Sequence, residues 1–178
     1  MTDKFNLTPP TPASSKKAGF THEAPTGKSD EWFTPPSIFT SIGLTFDLDP
    51  CSPGADRSYV PARHHYTIHD DGLTSSWFGT VFVNPPYSDV KTWMLKLADH
   101  GDGIGLVFNR TDTVWFQAAL AKATLVCFMA RRIPFIEGRT GKVKGNPGTG
   151  SALFAYGETA AQALLQSGLG HCVRPVKN

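Results

Sequence analysis

The sequence predicts an α/β fold, a compact αβα sandwich built on a mainly parallel sheet. Two observations carry that expectation. Short apolar runs of strand character alternate with segments of helical periodicity between residues 45 and 166, the order that gives a parallel sheet covered on both faces. The chain is 178 residues long, a length for one domain that can bury about two-thirds of its unfolded surface without disulfide staples. No internal repeat is visible.

Each element has a local reason. Residues 1–29 are rich in Pro, Ser, Thr and Lys and almost free of large apolar side chains, so they are read as a disordered tail and the domain as residues 30–178. Thr34-Pro35-Pro36 starts a helix, with Thr34 as N-cap and Pro35 at the first helical position, where a missing N–H costs nothing. That helix stops at Gly43. Thr45 to Leu48 is a strand, broken by Pro50, Ser52, Pro53 and Gly54. Thr80 to Val83 is a second strand, halted by Asn84-Pro85-Pro86. Ser88 caps a helix in which Val90, Trp93, Met94 and Leu97 recur at helical spacing, ending near Gly101. Ile104 to Phe108 is a third strand, and Thr111 caps a helix through Leu120. Thr124 to Met129 is a fourth strand, Ser151 to Tyr156 the last, and Glu158 to Gln166 the final helix. Between them, residues 137–150 carry Arg139, Lys142 and Lys144 without periodicity, which reads as a mobile basic loop of the kind that is often functional.

Composition narrows the function classes. The longest apolar runs fall far short of the roughly 20 residues needed to cross a bilayer. The N-terminus lacks the apolar core of a secretory signal. Cys51, Cys127 and Cys172 are an odd number, widely spaced and without CxxC, which argues for a reducing compartment and against a zinc ribbon. These features predict a soluble cytoplasmic protein with no membrane contact. His64, His65 and His69 lie close in sequence, but no cysteine is near them and no metal site is expected. Charge is unevenly spread: +2 over residues 1–29, −6 over 30–121 and +6 over 122–178. A polyanion would be drawn to the C-terminal part, a hint of nucleic-acid contact.

The sharpest signal is Asn84-Pro85-Pro86-Tyr87, directly after a buried strand, where ligands bind in open α/β sheets. Chance would place such a tetrapeptide in roughly half a percent of chains of this size, so it outweighs the reading of two prolines that merely end a strand. Its chemistry suits an exocyclic amine, whose lone pair is delocalised into a base ring. A side-chain amide oxygen (Asn84) and a backbone carbonyl (Pro85) can each accept one N–H and free that lone pair for attack on a sulfonium methyl. The prolines fix φ and aim the carbonyl in advance. Tyr87 offers a flat face to an extruded base. Cys51 has no base placed to activate it and reads as a small packed residue.

Around this tetrapeptide the chain resembles the phage-type (Dam-like) DNA N6-adenine methyltransferases. The resemblance rests on Glu31-Trp32-Phe33-Thr34-Pro35-Pro36, Phe46-Asp47-Leu48-Asp49-Pro50-Cys51, Asp70-Asp71-Gly72-Leu73 and Phe82-Val83-Asn84-Pro85-Pro86-Tyr87-Ser88. It continues through Thr111-Asp112-Thr113 with Trp115-Phe116, and Arg132 with Phe135. It implies a class I (Rossmann-like) methyltransferase fold, S-adenosyl-L-methionine (AdoMet) as cofactor and double-stranded DNA as partner. It also implies a role in protecting phage DNA from host restriction. By the same resemblance Trp32, Phe33, Thr34 and Pro35 pack beside the methionine end of AdoMet. Asp49, Pro50 and Cys51 match the first cofactor motif, Asp71 accepts the cofactor adenine, and Asn84, Pro85, Pro86 and Tyr87 are catalytic.

The chain departs from that pattern in two places. The usual Gly-x-Gly after the first strand is reduced to Gly54, and no acidic residue stands where the cofactor ribose is normally held, so Asp71 serves either adenine or ribose. Arg131, Arg132, Arg139, Lys142 and Lys144 are expected to grip DNA phosphates, with Phe135 either covering the base face opposite Tyr87 or packed in the core. Two other readings stay open: a different amine acceptor of the same motif class (cytosine N4, an RNA base or a protein glutamine), or a degenerate module that binds DNA without catalysis. The recognised DNA sequence is not written in any residue.

Overall fold

The computed structural model describes residues 31–143 and 147–176. The tail expected over residues 1–29 therefore lies outside the described residues. Nine strands and four helices follow in order: β1 (Trp32–Phe33), α1 (Pro36–Ile42), β2 (Phe46–Asp49), β3 (Ala62–His65), β4 (Val81–Val83), α2 (Val90–His100), β5 (Gly103–Phe108), α3 (Val114–Lys122), β6 (Leu125–Met129), β7 (Ile136–Glu137), β8 (Ser151–Tyr156), α4 (Glu158–Gln166) and β9 (Gly170–Val173). A single 3-10 turn, Tyr87–Asp89, joins β4 to α2. No helix among the described residues is long and apolar enough to cross a membrane.

Seven strands form one sheet in the order β3-β2-β4-β5-β8-β6-β9, and β1 pairs with β7 in a separate two-stranded ribbon. The four strands β3, β2, β4 and β5 are parallel neighbours. Strand β8 then inserts antiparallel between β5 and β6, and β9 runs antiparallel to β6. The sheet is thus parallel over its first half and alternating over its second. Among the described residues no helix lies between β6 and β8, and of the parallel steps only β4 to β5 uses a helical crossover, α2, while β2, β3 and β4 are joined by loops.

Side-chain alternation along β4, β5, β6 and β8 explains the three layers, while β2 departs from it by sending Phe46 and Leu48 to opposite faces. Phe46, Phe82, Ile104, Leu106, Leu125 and Leu153 point to one face and pack against Ile38, Phe39 and Ile42 of α1 and Ala160, Ala161 and Leu164 of α4. Leu48, Val81, Val83, Val107, Val126 and Phe154 point to the other face, where Trp93, Met94 and Leu97 of α2 and Phe116 and Ala119 of α3 cover them. Of the adjacent aromatics in α3, Phe116 is the core residue.

Several boundaries differ from the sequence expectation. Pro35 and not Thr34 is the N-cap of α1, so the first helical position falls to Pro36. Thr113, not Thr111, precedes α3, and Asp89, not Ser88, precedes α2. Strands β1, β3, β7 and β9 lie outside the sequence expectation. The 137–150 segment also has structure at its start: Ile136 and Glu137 pair with β1, and Val143 bridges back to Ile136.

Candidate active site

The chain passes from β2 outward to β3 and then returns to the other side of β2 to form β4. That reversal opens a crevice at the carboxyl ends of β2 and β4, the place where such sheets bind ligands. A cavity of about 580 Å³ lies there. Trp32, Phe33, Thr34, Asp49, Pro50, Cys51, Asp71 and all of Asn84 to Tyr87 line it, so the sequence segments singled out above converge on one site. Pro35 does not line it. It is buried at the start of α1, directly behind Thr34.

Asn84 leaves the end of β4 with its amide held in one sense: Nδ2 donates to the Trp32 carbonyl at 2.8 Å. A carbonyl can only accept, so the nitrogen is committed and Oδ1 is the free end. Oδ1 has no hydrogen-bond donor among the described residues. Cys51 bridges the two strand ends, its Sγ donating to the Asn84 carbonyl at 3.4 Å. Burial, and then the charge of Asp49, push the Cys51 thiol well up, which removes it as a nucleophile. Tyr87 stacks flat on Phe108 with ring centroids 4.3 Å apart and 4° between planes. Burial pushes its phenol up as well, so it stays protonated at neutral pH.

On the β2 side the Asp49 carboxylate is buried at 3 % exposure and accepts from Ser58 Oγ at 3.2 Å. Ser52 Oγ accepts from Gly54 N and meets His65 Nδ1 at 3.0 Å. This closes the tight turn that a richer glycine motif would otherwise make. Asp71 has φ 47°, the left-handed region that Asp tolerates better than most residues, and its carbonyl and carboxylate cap the turn through Ser75. Gly72 is required by close approach: a Cβ there would fall 1.9 Å from the Pro50 carbonyl oxygen. Asp71 is thereby set beside the end of β2 and into the cavity lining.

The end of β3 carries no carboxylate, and the acidic lining residues are Glu31, Asp49 and Asp71. Asp49 is enclosed and Glu31 is paired with Arg57. Asp71 keeps one carboxylate oxygen without a hydrogen bond among the described residues. Thr34 Oγ1 is a further open group: it lines the cavity, is buried and has no hydrogen-bond partner among the described residues. Sequence reasoning missed Ser58, Tyr59, Thr67, Ile68 and Trp93, which also line the cavity. Tyr59 and Ile68, large side chains in a stretch rich in charged residues and histidines, were the available signal.

The histidines do not gather. His64 and His65 are consecutive in a strand and so point to opposite faces: His64 meets the Phe78 ring at 5.3 Å, while His65 turns toward Asp49 and Ser52. Arg131, Arg132, Arg139 and Lys142 are exposed and make no ion pair with a described carboxylate. Lys144 lies outside the described residues. Phe135 is 4 % exposed, does not line the cavity and sits edge-on to Phe108 at 6.2 Å. In this position it supports the Tyr87–Phe108 stack from behind and offers no face to a base.

Comparison with known proteins adds an independent line. A model of the family described as DNA N-6-adenine-methyltransferase (Dam) matches residues 21–166. No curated protein matches the chain, and no solved structure does. The matched span takes in the cavity, the Asn84 to Tyr87 segment and every element that lines them: the chain belongs to the DNA N-6-adenine-methyltransferase (Dam) family.

Proposed function

We propose that this protein transfers a methyl group from AdoMet to the N6 amine of an adenine extruded from double-stranded DNA, on a class I methyltransferase fold. The observation that carries this reading is the held amide of Asn84, whose nitrogen is committed to the Trp32 carbonyl and whose oxygen is left for a donor.

The cavity suits AdoMet. Its volume of about 580 Å³ falls within the usual range for small-ligand sites. The unpartnered Thr34 hydroxyl supplies one polar contact for the amino-acid end. Asp71 supplies an acceptor for the amino group of the cofactor adenine, and Gly72 lets the loop lie flat against Pro50. When bound, AdoMet supplies a methyl group made electrophilic by its sulfonium sulfur. The residues of the chain do the rest. Asn84 Oδ1 and the Pro85 carbonyl accept the two N–H bonds of the target amine, drawing its nitrogen out of conjugation with the ring. The proline backbone holds that carbonyl in place, so little reorganisation is needed. Tyr87, one face fixed on Phe108, stacks its other face on the base. Neither Tyr87 nor Cys51 is ionised at neutral pH, and none need be, because the amine sheds its proton after methylation. Positioning therefore carries the step.

Extruding a base costs a few kcal/mol, which stacking and phosphate contacts offset. Arg131, Arg132, Arg139 and Lys142 are exposed cations with no ion pair among the described residues, suited to those contacts. The test is incubation with AdoMet and unmethylated DNA, followed by nucleoside mass spectrometry, with Asn84→Ala alongside. N6-methyladenine that disappears in the variant is the expected result. N4-methylcytosine would overturn the choice of base. AdoMet binding without a DNA product would move the acceptor to RNA or protein, and loss of both would leave a DNA-binding module.

A further inference from the structure

Three segments distant in sequence meet at the rim of the cavity. Strand β1 pairs antiparallel with β7, Trp32 opposite Glu137 and Phe33 opposite Ile136. The Gly138 N–H extends the ribbon by donating to the Glu31 carbonyl at 2.9 Å. Arg57, from the turn after β2, donates from Nη2 to Glu31 Oε2 at 2.8 Å and to the Gly138 carbonyl at 3.5 Å. Its guanidinium also lies 5.6 Å from the centre of the Phe33 ring. The same ribbon presents the Trp32 carbonyl that accepts from Asn84 Nδ2.

A side-chain amide has two ends of similar size and opposite hydrogen-bonding sense. Only one sense serves a target amine, because the amine also donates. We propose that the β1–β7 ribbon sets the sense of the Asn84 amide, and that Arg57 and Gly138 are positioning residues that hold the ribbon where its Trp32 carbonyl can do so. The geometry stands by itself; the catalytic consequence rests on the methyl-transfer reading above. The Arg57–Glu31 pair is 44 % and 46 % exposed, so it adds little to global stability and acts locally. Gly138 is needed for contact: a Cβ there would lie 2.8 Å from both Glu31 Cβ and Phe33 Cζ. Substitution would push the ribbon outward and draw Trp32 away from Asn84.

The first readout is solvent exchange of the Asn84 side-chain NH2 in 15N-resolved NMR spectra, assigned by its disappearance in Asn84→Asp. The expected result is a protected proton in the wild type, with protection falling about tenfold or more in Arg57→Leu and in Gly138→Val. Protection unchanged in Arg57→Leu, whose exposed site leaves folding intact, overturns the proposal. The second readout is kinetic. In Arg57→Leu kcat at saturating DNA and AdoMet should fall about fivefold or more while the AdoMet Kd stays within about twofold. A weaker AdoMet Kd with unchanged kcat overturns the proposal, since the clasp would then shape the cavity and not the amide. If exchange behaves as expected but the wild type makes no N6-methyladenine, the positioning stands and the methyl-transfer reading fails.

Discussion

His65 ties the turn after β2 to the strand beside it. Its Nε2 lies 3.2 Å from the Ala62 carbonyl, which can only accept, so that nitrogen carries a proton in either charge state. Nδ1 then faces Ser52 Oγ at 3.0 Å and Asp49 Oδ2 at 3.8 Å. The close approach of the Asp49 carboxylate raises the His65 pKa most, burial opposes it, and the Ala62 carbonyl adds to the rise. The pH dependence follows from that direction. A histidine whose folded pKa exceeds its unfolded value of about 6.5 stabilises the fold fully below that pH, and the contribution is lost as pH climbs through the folded pKa. His65→Gln should therefore cost more stability at about pH 6 than at about pH 9. Urea midpoints of both proteins at the two pH values check this. A difference independent of pH would mean that His65 stays neutral beside Asp49. The stake is local as well, since Asp49 and Ser52 both line the cavity.

Helix α2 does for the Asp71 loop what the ribbon does for Asn84. Lys96 donates from Nζ to the carbonyls of Gly72 at 3.0 Å, Leu73 at 2.8 Å and Ser75 at 2.6 Å, one acceptor for each proton of an ammonium group. Desolvation lowers its pKa, with Asp71 opposing. Lys96→Met keeps an unbranched apolar stem, removes the ammonium that lies 4.8 Å from the Trp77 ring centre and frees all three carbonyls. AdoMet affinity should then fall roughly tenfold, the loss of about one to two hydrogen bonds' worth of order, with DNA affinity unchanged. Lys96→Arg should not restore it, because a planar guanidinium cannot reach three converging acceptors as a compact ammonium does. Calorimetric titration of AdoMet decides; an unaltered Kd would detach this loop from the cofactor. The amphipathic spacing of Val90, Trp93, Met94 and Leu97 made α2 legible in sequence, as strong β-forming runs made the central strands legible. Edge strands β3 and β9 were not. Ala62-Arg63-His64-His65 and Gly170-His171-Cys172-Val173 lie at the rims of the sheet, where little apolar alternation is demanded. The two-residue strands β1 and β7 are shorter than any periodicity. Asn84 to Tyr87 could be read because its chemistry needs contiguous residue types. The Trp32 contact that orients Asn84 could not, because a backbone carbonyl 52 residues away leaves no mark in the letters.

Across the whole molecule the uneven charge of the sequence acquires a division of labour. The acidic stretch, −6 over residues 30–121, supplies Glu31, Asp49 and Asp71 to the cavity, whose proposed occupant carries a positive sulfonium. The basic stretch, +6 over residues 122–178, supplies Arg131 and Arg132 after β6 and Arg139 and Lys142 after β7. With a net charge of only +2, the chain as a whole attracts DNA weakly, so the proposed DNA binding calls for local cations such as these. Each phosphate contact that releases a counterion contributes about 0.9 to the slope of log K against log salt. Replacing Arg131 and Arg132 with Ala should flatten that slope by roughly 2 if both grip phosphates, while AdoMet affinity stays as it was. Titrations of duplex DNA between about 50 and 200 mM salt measure it. A flattened slope with retained AdoMet binding would place the duplex over the β6 end of the sheet, next to the Tyr87–Phe108 stack. An unchanged slope would bring the DNA in from the ribbon side, over Arg139 and Lys142, and the same titration on those two residues would then show the loss.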